Sequence, residues 1–174
     1  MDKLLNKNIC LYYYGNNHFL INLHNYIEIN LKTHKLIYII SSQQIINNIY
    51  MDFNFNENDT NNLYNLIKPI KYTELDKLEG ELSKDFTHIS TIIIDASYLI
   101  NNIGKNKFIE FICKFSNMLL NFNINSLTCY DFSNYLNTQS LIDEDIINFS
   151  YKSHDFRMLL NKIYPISQFN LISE

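Results

Sequence analysis

The chain contains no valine and no tryptophan, one alanine (Ala96) and one arginine (Arg157) among its 174 residues. It is equally short of what several function classes need. Its three glycines, Gly15, Gly80 and Gly104, never fall in a G-x-G-x-x-G series, which excludes the dinucleotide fingerprint. The turn after the first apolar run, Tyr14-Gly15-Asn16-Asn17-His18-Phe19, has one glycine, no lysine and no Ser/Thr to hold magnesium, so phosphate-loop catalysis is excluded too. Three cysteines (Cys10, Cys113, Cys129) show no C-x-x-C spacing and are expected to be reduced, buried thiols acting as small hydrophobes. No apolar run approaches the roughly 18 residues of a membrane span. Met1 to Asn6 lack the apolar core of a secretory leader. Lys and Arg total 14 against 18 Asp and Glu, a net charge of −4, without the basic clusters that nucleic-acid binding requires. These absences predict a cytoplasmic chain, one domain over residues 1–174, with no cofactor and no direct nucleic-acid or membrane partner.

What the chain has is isoleucine and asparagine, 27 of each, with 13 tyrosines and 12 phenylalanines. The usage has the look of codon bias in an AT-rich genome, so asparagine-rich stretches are not read as loops by default. Hydrophobic residues make up 47% and charged residues 18%, a globular balance in which Tyr and Phe supply core volume.

Periodicity organises the chain. Ile9 to Tyr14 is a continuous apolar run stopped at Gly15, which reads as a buried strand ending in a turn. Phe19, Leu20, Leu23, Tyr26, Ile27 and Leu31 then recur at helical spacing, and Leu36 to Ile40 is a second strand. Together they form one βαβ unit with parallel strands. Ser42 is placed to cap a helix carrying Ile45, Ile46, Ile49, Tyr50 and Phe53. Asn54 to Asn62 reads as a loop, and Leu63 to Ile70 as a short strand kept to an edge or an end by Pro69. Thr73 and Asp76 resemble a capping box for a helix with Leu75, Leu78 and Leu82. Ile89 to Ile94 predicts a central strand, and Gly104 and Asn106 precede a helix from Phe108 to Leu119. Ile124 to Tyr130 predicts a strand. Ser140 and Asp143 open a helix using Leu141, Ile142, Ile146, Ile147 and Phe149, and Phe156 to Leu160 is a last strand. The fold predicted is α/β, with a mostly parallel five- to six-stranded sheet and helices on both faces.

In such sheets ligands bind beyond the carboxyl ends of the strands. The candidate ligand-binding residues are therefore Tyr14, Asn16, Asn17, His18, Asp95, Tyr130, Asp131 and His154. Asp95, after three isoleucines, stands where an ATPase holds magnesium; with no phosphate loop opposite, it reads as a strand-end cap. The five histidines show no metal-ligand spacing, and no Ser or Cys sits on a nucleophile elbow. The chain is not expected to be an enzyme of any motif-bearing class.

The order of segments resembles the MEDS domains, sensory domains of methanogens and methylotrophs. Asn8 to Tyr14, the helix to Leu31-Lys32 and Lys35 to Ile40 are similar to the opening of that family. Leu127-Thr128-Cys129-Tyr130-Asp131 and Ser153-His154-Asp155-Phe156 are similar to its close, although the family's cysteine position falls on Thr128. The resemblance implies a RecA-like, KaiC-like core with a degenerate phosphate loop. It implies a non-catalytic sensory or signalling role, binding a small molecule, a protein partner such as a histidine kinase or transcription regulator, or both. The alternative is a degenerate RecA-like interaction subunit that assembles with itself or a relative.

Overall fold

Ile92, Ile93 and Ile94 are almost completely shielded from solvent, and they sit in the middle of the sheet. Branched at Cβ, isoleucine is stiff about χ1 and packs well on a pleated surface, so three in succession favour a strand covered on both sides. The computed structural model describes residues 7–53, 63–84, 87–122, 124–159 and 161–168. Its strands are β1 (Asn8–Tyr13), β2 (Leu36–Ile40), β3 (Ile67–Ile70), β4 (Ile89–Asp95), β5 (Asn125–Asp131), β6 (Phe156–Leu159) and β7 (Lys162–Pro165). They form one sheet in the order β3-β2-β4-β5-β1-β6-β7. Every neighbouring pair is parallel except the β6–β7 hairpin.

Alternation along each strand splits the core in two. Ile9, Leu11 and Tyr13 point to one face and pack with Phe19, Leu23 and Ile27 of α1 (Gly15–Leu31) and with Ile45, Ile46 and Ile49 of α2 (Gln43–Asp52). Cys10, Tyr12 and Tyr130 point to the other. There they meet α3 (Leu75–Lys84), α4 (Ala96–Ile103), α5 (Lys105–Leu120) and α7 (Glu144–Ser153), with α6 (Phe132–Asn137) at the rim. Each large apolar side chain buried this way contributes about 1.5–3 kcal/mol.

Several expectations hold in detail. Ser42 caps α2 by accepting the Ile45 amide, and Pro69 lies in the edge strand β3, where proline is best tolerated. Others need correction. Only Ile67–Ile70 of the predicted Leu63–Ile70 strand is extended, after a 3₁₀ turn at Leu63–Leu66. A 3₁₀ turn, Tyr72–Glu74, also precedes α3, and the Lys71 amide donates to the Glu74 carboxylate at 3.2 Å. Leu141 and Ile142 lie before α7 rather than in it, because their amides both donate to Asn134 Oδ1; Asp143 alone caps that helix. Cys113 is exposed on α5, whereas Cys10 and Cys129 are buried. The seventh strand is an addition. Asn161, at a φ of 64°, lies in the turn that folds β7 back on β6. One exposed and three half-buried residues ending in proline leave no apolar run to read. The predicted loop at 54–62 and Leu160 lie outside the described residues.

Candidate functional site

At the carboxyl edge a single residue, Tyr14, separates β1 from α1. Gly15 begins the helix at a φ of 72°, a conformation that a side chain would strain. No stretch of chain is left there to wrap a phosphate. The position is occupied by rings instead. Tyr14, 53% exposed, sits edge-on to Phe132 at 5.4 Å and beside the His18 ring at 5.9 Å. Phe132 in turn meets Tyr12 at 5.8 Å and Tyr135 at 5.1 Å. His18 Nδ1 accepts the Tyr14 amide at 3.0 Å, so one of its ring nitrogens is committed to the helix start. Asn16 and Asn17 stand exposed in the first turn of α1.

The two carboxylates predicted at this edge are both held by the chain itself. Asp95 accepts the Ser41 hydroxyl at 2.8 Å and the Tyr98 amide at 3.2 Å, which makes it the cap of α4. Burial raises its pKa above the ordinary carboxylate value, against the pull of those hydrogen bonds and with the Asp131 charge adding to the rise. Asp131 accepts the Ser133 and Asn134 amides and caps α6. Tyr13, on β1, pairs with Asp131 in the register. Burial, then the charges of Asp95 and Asp131, keep its hydroxyl a neutral phenol.

Tyr130 and His154 are not part of that rim. Tyr130 is fully buried on the α5–α7 face, opposite Tyr12 in the register. His154 lies two residues before the start of β6, whose first residue pairs with Ile9, so it lies toward the amino edge of the sheet. The two rings meet edge-on at 5.7 Å. His154 Nδ1 lies 2.9 Å from the Ser150 carbonyl and 2.9 Å from the Ser153 hydroxyl, while its Nε2 and the Tyr130 hydroxyl are buried with no hydrogen-bond partner. Desolvation pushes the His154 pKa down to about 4, the Ser150 carbonyl opposing weakly. Around them the Tyr12 hydroxyl bonds the Ser150 hydroxyl, and the Arg157 guanidinium lies 4.8 Å over the Tyr12 ring. Besides Tyr130 and His154, the chain's one arginine, in β6, was a further signal of this cluster in the sequence.

The structure thus gathers Tyr14, His18, Asp131 and, just beneath them, Asp95, with Asn16 and Asn17 beside them. It sends Tyr130 and His154 into the core. Among the described residues no group of three His, Cys, Asp or Glu side chains is placed to hold a metal ion. No described helix is long and apolar enough to cross a membrane.

No family model matches the chain, and no curated protein sequence matches it. In fold it is similar to the crystal structure of a KaiC-like protein from the hyperthermophilic archaeon Pyrococcus horikoshii OT3. The TM-score is 0.59 over 87% of this chain and 69% of that one, at 9% identity. The fold is KaiC-like. At that identity the likeness concerns architecture, and the chemistry has to be read from the residues above.

Proposed function

We propose that this chain is a non-catalytic signalling protein on a KaiC-like frame, which acts by binding a small ligand and touching a protein partner such as a kinase or a transcription regulator. One observation carries the reading. The place between β1 and α1 where a phosphate loop would lie is reduced to Tyr14 and plugged by the Tyr14–His18–Phe132 rings. The neighbouring Asp95 is spent on Ser41 and Tyr98. The resemblance of Leu127 to Asp131 and of Ser153 to Phe156 to the MEDS domains supports the same reading.

A second reading, an interaction subunit working by assembly, is favoured by the outer surface of α1 and α2. Ile21 and Met51 are 62% and 64% exposed there, and large apolar side chains turned outward suit a contact surface. Native mass spectrometry beside an ATP-hydrolysis assay tests both. The expected result is no turnover, with either a small adduct lost on denaturation (signalling) or a defined oligomer (assembly). ATP turnover that disappears in Asp95→Asn overturns both readings, and so does a monomer with neither adduct nor partner.

A further inference from the structure

The amino edge of the sheet is open where the carboxyl edge is filled. A cavity of about 280 Å³ lies there between the last turns of α1, the β6–β7 hairpin and the first residues of β1, β4 and β5. The fold creates it. Asn161 turns β7 back on β6, and the Asn25 amide group donates to Asn161 Oδ1 at 3.2 Å, which ties the turn to α1 without closing the space beneath. The walls are chiefly apolar: Ile9, Ile29, Ile89, Met158, Ile163 and the Tyr26 ring.

The neutral polar groups along the wall already have partners within the chain. The Tyr26 hydroxyl bonds the Thr91 hydroxyl at 3.0 Å, Asn30 Nδ2 donates to the Tyr26 carbonyl at 2.8 Å, and Ser90 donates to the Leu36 carbonyl at 3.2 Å. Asn125 Oδ1 accepts the Lys7 amide at 3.0 Å. The two ammonium groups of Lys7 and Lys35 are different. Both residues line the cavity, and neither forms an ion pair with a carboxylate among the described residues. Lys7 Nζ is held 5.3 Å over the Phe156 ring. Two lysines lining an apolar hollow and meeting no carboxylate among the described residues, in a chain of net charge −4, select an anion with an apolar body. The volume lies just below the roughly 300–1,000 Å³ of small-molecule pockets, which suits a small ligand.

We propose that this cavity binds a small organic carboxylate, its aliphatic or flat aromatic body against Ile9, Ile89, Met158 and Tyr26 and its charged head at Lys7 and Lys35. The proposal rests on the signalling reading for its purpose and deepens it by naming the ligand class and its place, at the edge opposite the one a KaiC-like frame suggests. The test is a titration of the ¹⁵N-labelled full chain with octanoate, followed by amide shifts, beside octan-1-ol as the uncharged control. Octanoate is expected to shift Ile29, Asn30, Asn161 and Ile163, and octan-1-ol to bind about fivefold more weakly or worse. Lys35→Glu, on an exposed residue, is expected to weaken octanoate about tenfold and leave octan-1-ol unchanged, with the thermal midpoint unmoved. Lys7→Gln is the second variant, with a smaller loss in the same direction. Equal affinity for acid and alcohol, or octanoate binding that survives Lys35→Glu, overturns the proposal. Shifts centred on Tyr14, Ser41 or Asp131 overturn it as well while keeping a ligand-binding protein. A defined oligomer that octanoate never perturbs overturns it and leaves the assembly reading standing.

Discussion

The two ends of the sheet use polar residues in opposite ways. At the carboxyl edge Asp95 and Asp131 are bound by helix amides and a serine hydroxyl, and rings fill the remaining space. At the amino edge an apolar hollow is left with two lysines that meet no carboxylate among the described residues, and a histidine is buried nearby on the other face of the sheet. A position favoured by topology becomes a site only if its donors and acceptors are left free for a ligand. Here the chain has taken up both carboxylates of the favoured edge.

The largest expected effect separates the two ends by pH. The folded-state pKa of His154, about 4, lies below the 6.5 of a free histidine. Its contribution is therefore complete above about pH 6.5 and is lost as pH falls toward 4, by up to about 3 kcal/mol. Asp95 runs the other way. Its raised pKa favours the protonated form in the folded state, so its contribution weakens as pH rises above 3.8. Urea unfolding at a series of pH values should show an acid limb that His154→Gln flattens; an unchanged limb in that variant refutes the assignment.

Next in size is Asp95→Ala, expected to cost about 2 kcal/mol because the Ser41 hydroxyl and the Tyr98 amide lose their acceptor. Asp95→Asn keeps an acceptor without a buried charge and is expected to change stability by less than about 1 kcal/mol at pH 7. If the two variants unfold at the same denaturant concentration, Asp95 is not the cap described. Phe132→Ala, which removes the centre of the ring cluster, is expected to cost about 1–2 kcal/mol. Calorimetry will show this as a lower midpoint, with no gain of ATP binding. The smallest change is at Lys105, which bridges α5 and α7 through Asp143 at 2.6 Å and Asp145 at 2.7 Å. Lys105→Gln should cost less than about 1 kcal/mol, and the difference should shrink in high salt.

Much of the frame was legible because period and composition act locally. The isoleucine runs of β2 and β4, the helical spacing of α1 and the caps at Ser42 and Asp143 are short-range statements about which conformation buries apolar surface. The helix α4 was anticipated only as the helix or turn that Asp95 would cap, which it does, and α6 was not foreseen: each is short and follows directly on a strand, so no polar break announces it. β7 was invisible for a related reason, since its pairing depends on the turn at Asn161 and not on its own pattern. The candidate site was legible only in part. Tyr14, His18, Asp95 and Asp131 followed from strand ends, which are sequence-local. The depth of Tyr130 and His154 depends on which face of β5 is covered by α7.

Residue order alone was sufficient for a mostly parallel α/β sheet and for the absence of a phosphate-loop motif after its first strand, because a motif and a period of apolar side chains need no partner to be read. Which edge stays open needed the folded chain. Whether Asp95 is free or bound to Ser41, 54 positions away, and whether Lys7 and Lys35 meet the same hollow, are set by long-range packing. Only packing settles how much hydrogen-bonding capacity remains at each end.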